Sequence, residues 1–264
     1  MNTRGQIWLE ALTANGTQAT GFSPSVMVTD AEIAGEKARF IAVIKDENNP
    51  FVRARNGEVG LLEGWNVAKA VTEIVNQEKH SDKKSTIVAV IDVPSQAYGR
   101  REEAYGIHQA LAASANAYGQ ARIAGHPVIG LIVGKAMSGG FLAHGYQSSR
   151  IISLDDEGCM VHAMGKESAA RITMRTVEQL EALAATIPPM AYDMKNFMQL
   201  GLVSDLVAVE NAQQPTCADV ETVAQALANA KADIGDDSND LSCRLGAKSR
   251  QATSTVRDAM RANW

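Results

Sequence analysis

The chain has 264 residues, 45% of them hydrophobic, which is enough to bury one large core or one core with a small appendage. A formal net charge of -5 argues against a general nucleic-acid or anionic-membrane surface. No apolar stretch approaches membrane-span length and Met1 to Gly21 lacks the pattern of a secretory signal. Cys159, Cys217 and Cys243 suit neither a disulfide framework nor a zinc site, so a cytoplasmic protein with reduced thiols and no metal is expected.

Taken in chain order, Gly5 to Thr13 can form a short helix, and Gly21-Phe22-Ser23-Pro24 breaks the chain before Ser25 to Glu32. That segment and Lys37 to Lys45, joined around Gly35, read as an antiparallel hairpin. A glycine-containing turn over Arg53 to Gly60 leads into a helix from about Leu61 to Glu78, whose Val67, Ala70, Val71, Ile74 and Val75 recur at helical spacing. Ile87 to Val93, β-branched and closed by Pro94, has the pattern of a buried parallel strand. The loop Ser95 to Arg101 precedes one long Ala-rich helix from about Glu102 to Ala124. After the Gly125-His126-Pro127 break, Val128 to Val133 is a second buried strand, followed by a glycine turn over Gly134 to Phe141 and a helix-compatible Leu142 to Gln147. Further units begin at Arg150 to Leu154 and at Cys159 to Met164. This succession predicts a parallel sheet whose strand ends share one edge, with Gly99 and Gly139 both on it. Beyond Val207, Cys217 to Asp233 is a candidate helix, Gly235 to Asp240 an acidic linker and Lys248 to Arg261 a terminal helix. The expected division is residues 1–210 as the main domain and 211–264 as a helical extension, packed on its own domain or gripping a partner.

Two constellations carry chemistry. The adjacent Gly139 and Gly140 allow a backbone to approach a ligand closely, and free N–H groups there would suit an oxyanion or carbonyl oxygen; a plain strand-to-helix turn uses the same residues. Ser138 just before the pair, with His162 at a later strand end, has the ingredients of a hydrolase. Over Gly134 to Phe141 and Met160 to Gly165 the chain resembles ClpP-type serine peptidases. Asp193, Asp205 and Asn211 offer no evident third member, which makes Ser138 a turn hydroxyl and His162 a packed or substrate-facing imidazole.

A wider match runs from about Ser25 to Val209. Asp92-Val93-Pro94, the loop to Gly99, Glu102 to Gly106, Lys135 to Phe141 and Gly201-Leu202-Val203-Ser204-Asp205 together resemble the acyl-CoA carboxyltransferase branch of the crotonase superfamily. Within that branch the chain is similar to the gamma subunits of biotin-independent malonate decarboxylases. The resemblance implies an α/β, ClpP/crotonase-like superhelix of β-β-α units. It implies a homologous beta subunit as partner, together with an acyl-carrier subunit and the alpha acyl-transferase subunit. The carrier's phosphopantetheine-type arm would present malonyl as a thioester, and this chain would itself bind no cofactor. Loss of carbon dioxide leaves an enolate whose charge falls on the thioester oxygen, so hydrogen-bond donors aimed there lower the barrier.

The glycine turn that holds the carbonyl of carboxybiotin in biotin-dependent relatives maps onto Gly139 and Gly140, where the departing carboxylate or the thioester oxygen would bind instead. Those relatives carry a Gly-Phe-Leu-Pro-Gly-like loop where this chain has Ser95-Gln96-Ala97-Tyr98-Gly99, so biotin is not expected. The candidate catalytic residues are therefore Gly99, Ser138, Gly139 and Gly140, and the candidate substrate-binding residues are Tyr98, Arg100, Lys135 and His162. Arg100 or Arg101 could clamp a malonyl carboxylate, or the pair could be solvated arginines facing Glu102 and Glu103. The alternatives to the decarboxylase reading are a ClpP-type serine peptidase using Ser138 and His162, and a noncatalytic partner that completes the beta subunit's site.

Overall fold

The computed structural model describes residues 2–235 and 240–264, so the expected linker over Gly235 to Asp240 lies mostly outside the described residues. The elements are α1 (Arg4–Leu12), β1 (Thr17–Gln18), β2 (Val26–Ile33), β3 (Glu36–Val43), α2 (Leu61–Gln77), β4 (Thr86–Val93), α3 (Arg100–Ala104), α4 (Ile107–Ile123), β5 (Val128–Met137), α5 (Ser138–Ala143), β6 (Arg150–Leu154), β7 (Met160–His162), α6 (Lys166–Thr173), α7 (Val177–Ala184), α8 (Met194–Gln199), β8 (Asp205–Val207), α9 (Cys217–Ile234) and α10 (Gln251–Ala262).

Among the described residues the main sheet runs in the order β1-β2-β3-β4-β5-β6-β8, with an antiparallel hairpin at one side and parallel pairing from β3 onward. Ile87, Val88, Ala89, Val90 and Ile91 of β4 are entirely buried, as the unbroken apolar run requires of a strand covered on both faces. On α2, Val67, Ala70, Val71 and Ile74 face the core, and Gly64 lets α2 approach α4 so closely that a Cβ there would sit 2.7 Å from the Ala110 carbonyl. Val223, Ala226, Leu227, Ala230 and Ile234 of α9 join the main core. Cys217 to Ile234 therefore packs on its own domain, while α10 has no buried residue.

A second strand layer carries the site. β5 pairs with β6 through Ile129 to Ile132, then with β7 through Lys135 to Met137. The chain thus turns a corner within one strand. Gln96 bridges Val59 in parallel register and Val93 pairs with Ala136, so each β-β-α turn adds one strand to the main sheet and one short segment to this second layer. That is the expected superhelix. Two local expectations are corrected. Gly134 is not a turn but the interior of β5, and α5 starts at Ser138, four residues before the expected helix. The long helix over Glu102 to Ala124 is two helices, because Gly106 adopts φ +81° and ends the hydrogen-bond ladder after Tyr105.

Behind α5 lies a buried polar pair. His144 donates from Nε2 to the Val90 carbonyl at 3.1 Å and accepts from the Tyr118 hydroxyl at Nδ1, also at 3.1 Å, so both ring nitrogens are satisfied by the neutral imidazole. Complete burial pushes its pKa down to about 4. As pH falls from about 6.5, the unfolded chain takes up a proton at this histidine that the folded chain refuses. Stability that is full above pH 6.5 is lost on the way to pH 4, by roughly 3 kcal/mol from this group. Urea unfolding of wild type and His144→Gln between pH 7 and 4 should show the wild type losing that increment and the variant not.

Candidate active site

The site forms where the end of β4 and the end of β5 meet in the second layer. After Val93 the loop is pinned to the strand segment before α2: the Val59 N–H donates to the Ser95 carbonyl at 3.1 Å, and the Ala97 N–H to the Val59 carbonyl at 2.8 Å. That segment is held in turn by Glu63, a fully buried carboxylate that accepts from the Gly60 N–H at 2.9 Å, the Ser25 hydroxyl at 2.5 Å and the Asn49 amide at 2.7 Å. Burial raises the Glu63 pKa despite these donors.

Opposite the loop, β5 ends at Met137 and Ser138 turns the chain with φ +57°, a conformation a non-glycine residue adopts only where its surroundings impose it. The turn drives Gly140 onto the Ser95–Gln96 backbone, where a Cβ would fall 2.7 Å from the Ser95 carbonyl carbon. Gly139 lies beside the Gln96 side chain, and its N–H donates to Gln96 Oε1 at 3.0 Å. The sequence reading left this N–H open and missed its partner. Gln96 and Glu63 are the two residues that it overlooked, and a glutamate three residues after Gly60 was the one available signal for the second.

The other candidates fall in three places. Gly99 is buried at the start of α3, where a side chain would strike Arg53 Nε at 2.8 Å and the Glu102 carboxylate. Its neighbours Tyr98 and Arg100 are exposed at the mouth of the loop, and the hydrogen bond with Glu103 keeps the Tyr98 phenol above its ordinary pKa. Arg101 is not merely solvated: its guanidinium lies 4.9 Å from the Phe51 ring centre and donates to the Pro50 carbonyl at 3.3 Å. His162 pairs with Met137 in the strand ladder, yet its Nδ1 is engaged by the Met164 backbone and its ring stacks on Tyr192 at 4.0 Å. Burial lowers its pKa, which favours the neutral ring. Ser138 makes no hydrogen bond with it, so the Ser138–His162 pair is not assembled as a catalytic dyad. Lys135 opens onto a separate cavity of about 470 Å³, lined also by Arg4, Lys45, Glu58 and Asp92, which includes neither Gly99 nor Gly139. Among the described residues no cluster of histidine, cysteine or carboxylate side chains could hold a metal ion. No helix among them is long and apolar enough to cross a membrane.

The model of the malonate decarboxylase gamma subunit matches residues 54–264, a span that includes both faces of this site. The chain belongs to the malonate decarboxylase gamma-subunit family. It is 54% identical to a chain of a Pseudomonas malonate decarboxylase hetero-tetramer in complex with coenzyme A, covering 99% of this chain and 100% of that one with a TM-score of 0.95. It is 51% identical to a chain of a Pseudomonas malonate decarboxylase MdcD-MdcE hetero-dimer, covering 99% of each with a TM-score of 0.91. The malonyl-S-ACP:biotin-protein carboxyltransferase MADD of Malonomonas rubra is 36% identical over 190 residues, which is 70% of this chain and 64% of that protein's length. Transcarboxylase 12S, at 16% identity and a TM-score of 0.62 over 84% of this chain, shares the fold alone.

For this gamma-subunit family member the two glycines are not equivalent. Gly140 is packed against backbone, whereas a Cβ on Gly139 would meet the Gln96 side chain, 3.3 Å from Oε1. Denaturant unfolding should show Gly140→Ala losing roughly 1–3 kcal/mol or more, with Gly139→Ala close to wild type.

Proposed function

We propose that this chain works as the gamma subunit of a malonate decarboxylase, forming with a homologous beta subunit the site that converts a malonyl thioester to an acetyl thioester and carbon dioxide. The malonyl group arrives on the phosphopantetheine-type arm of an acyl-carrier subunit that an alpha acyl-transferase subunit loads. The family match over residues 54–264 carries this reading, and the contact between the turns at Ser95–Gly99 and Ser138–Gly140 supports it.

In the reaction the bond from the α-carbon to the carboxylate breaks. Its electron pair passes into the enolate, the charge collects on the thioester oxygen, and protonation at carbon gives the acetyl product. Nothing in this sequence of steps needs a covalent intermediate, which agrees with a Ser138 that lacks a paired base. This scheme needs no biotin, because the carboxyl group leaves as carbon dioxide and is passed to no acceptor, in keeping with the Ser95-Gln96-Ala97-Tyr98-Gly99 loop. In this reading Arg100, which is exposed, is the residue that meets an incoming carboxylate.

The active site needs a second subunit to close it, and α10 offers a surface for one. Val256, Met260 and Trp264 recur every fourth residue along α10 and its end, and all three are exposed. Removing residues 251–264 should leave the thermal midpoint of the chain unchanged while sharply reducing its co-purification with the beta subunit.

The function is tested by reconstituting the chain with its beta and acyl-carrier subunits and following release of carbon dioxide from the malonyl-loaded carrier. The chain alone should be inactive and the assembly active. Ser138→Ala in the assembly should change turnover by no more than about tenfold. A complete loss, together with labelling of Ser138 by a serine-directed inhibitor, would favour the peptidase reading.

A further inference from the structure

The Gly139 N–H points at the space between the two turns, but what it meets there is Gln96. Only an acceptor can face a backbone N–H, so Oε1 must lie toward Gly139, at 3.0 Å, and the Ser95 hydroxyl donates to the same oxygen at 3.3 Å. The amide is thereby oriented from one end by two donors. Its other end, the Nε2 group with two N–H bonds, has no hydrogen-bond partner among the described residues and is not a buried orphan, so this half-buried side chain keeps Nε2 in contact with solvent. The backbone beneath it cannot drift. Gln96 bridges Val59, its neighbours exchange two backbone hydrogen bonds with that residue, and the Tyr98 N–H donates to the Gln96 carbonyl at 2.9 Å.

Gly140 closes the remaining freedom. Its contact with the Ser95 carbonyl leaves no gap between the two backbones, and the Gln96 side chain fills the space beside Gly139. The Gly139 N–H is thus already engaged by Oε1, and the amide donor left over beside this turn is Gln96 Nε2.

We infer that Gln96 is a catalytic residue of this subunit: its Nε2–H group donates to the oxygen that becomes the enolate oxygen, and Gly139 and Ser95 hold the amide in the orientation that makes this possible. The inference rests on the decarboxylase reading above. Accepting two hydrogen bonds at Oε1 polarises the amide and strengthens Nε2–H as a donor, and because the amide is already oriented the arrangement costs no reorganisation when charge develops. Gln96 gains and loses no proton. It follows that the Gly139 N–H acts through Gln96 and not on the substrate.

The test uses the assembled complex with wild-type, Gln96→Glu and Gln96→Met gamma subunits, comparing kcat and KM for the malonyl-loaded carrier. Gln96→Glu keeps an acceptor for the Gly139 N–H and removes both Nε2 donors. Gln96→Met keeps the length and removes all polar atoms. Both should lose about 100-fold to 1000-fold in kcat with KM little changed, since the lost donor acts mainly on the charge of the transition state. Unchanged or increased kcat in either assembled variant would overturn the inference and make Gln96 a mere occupant of the Gly139 N–H. Failure of both variants to assemble would overturn it equally, by making Gln96 structural. A wild-type complex without decarboxylase activity would defeat the function itself, an outcome distinct from an active wild type with active variants.

Discussion

The site depends on the corner at Asp92 and Gly134. Between the pairs Ile91–Ile132 and Val93–Ala136, β4 advances two residues while β5 advances four, and the Asp92 side chain fills the opening. Its carboxylate accepts from the Lys135 N–H at 3.1 Å and from the Gly5 N–H at 3.3 Å, replacing the ladder bonds that the bulge removes. Gly134 has to be glycine because a Cβ there would lie 2.7 Å from the Asp92 carboxyl carbon. This insertion lets one strand leave the main sheet at Ile132 and enter the second layer at Lys135, carrying Ser138 and Gly139 to the Gln96 loop.

The amino-terminal helix locks that corner from outside. Arg4 donates to the Val133 carbonyl at 3.3 Å and to Asp156 at 2.5 Å, next to Gly158, where any side chain would strike the guanidinium. Trp8 is wholly buried and its indole N–H reaches the Ala212 carbonyl at 2.9 Å, tying the same helix to the segment before α9. The amino-terminal helix and the segment around Ala212 are thereby tied together beside the region where β5 changes partners. Glu63 does the corresponding work for the opposite loop. Asp92 takes up two backbone N–H groups that no regular ladder satisfies, and Glu63 takes up one together with the Ser25 hydroxyl and the Asn49 amide, at sites where leaving a donor unpaired would cost about 1–3 kcal/mol.

This architecture separates two regions that lie close together in the sequence. Lys135 and Gly139 are four residues apart, yet the alternation of side chains along β5 and the turn at Ser138 send Lys135 to the cavity beside Asp92 and Gly139 to the Gln96 loop. The glycine pair is divided in a similar way, with Gly140 serving packing and Gly139 serving orientation. His162 is adjacent to Met137 in the ladder but is turned toward Met164 and Tyr192. Proximity in the strand register did not translate into a catalytic pair.

The sequence by itself determined the elements whose pattern is local: the hairpin around Gly35, the helix from Leu61, and the buried strands at Ile87 and Val128, each set by periodicity or by a continuous apolar run. The motifs at Asp92 to Gly99 and Lys135 to Phe141 also marked the family and the two loops that face each other. Only the tertiary structure decided where β5 ends, because Gly134 and Lys135 break the apolar run that the sequence follows, while their strand conformation is set by Asp92 and β7, distant in the chain. It likewise split the helix at Gly106, whose positive φ has no counterpart in an Ala-rich pattern. The partner of the Gly139 N–H was hidden for the same reason. A glutamine in a loop carries no local signal, and its amide acquires a role only when two strand ends 43 residues apart are brought within one hydrogen bond.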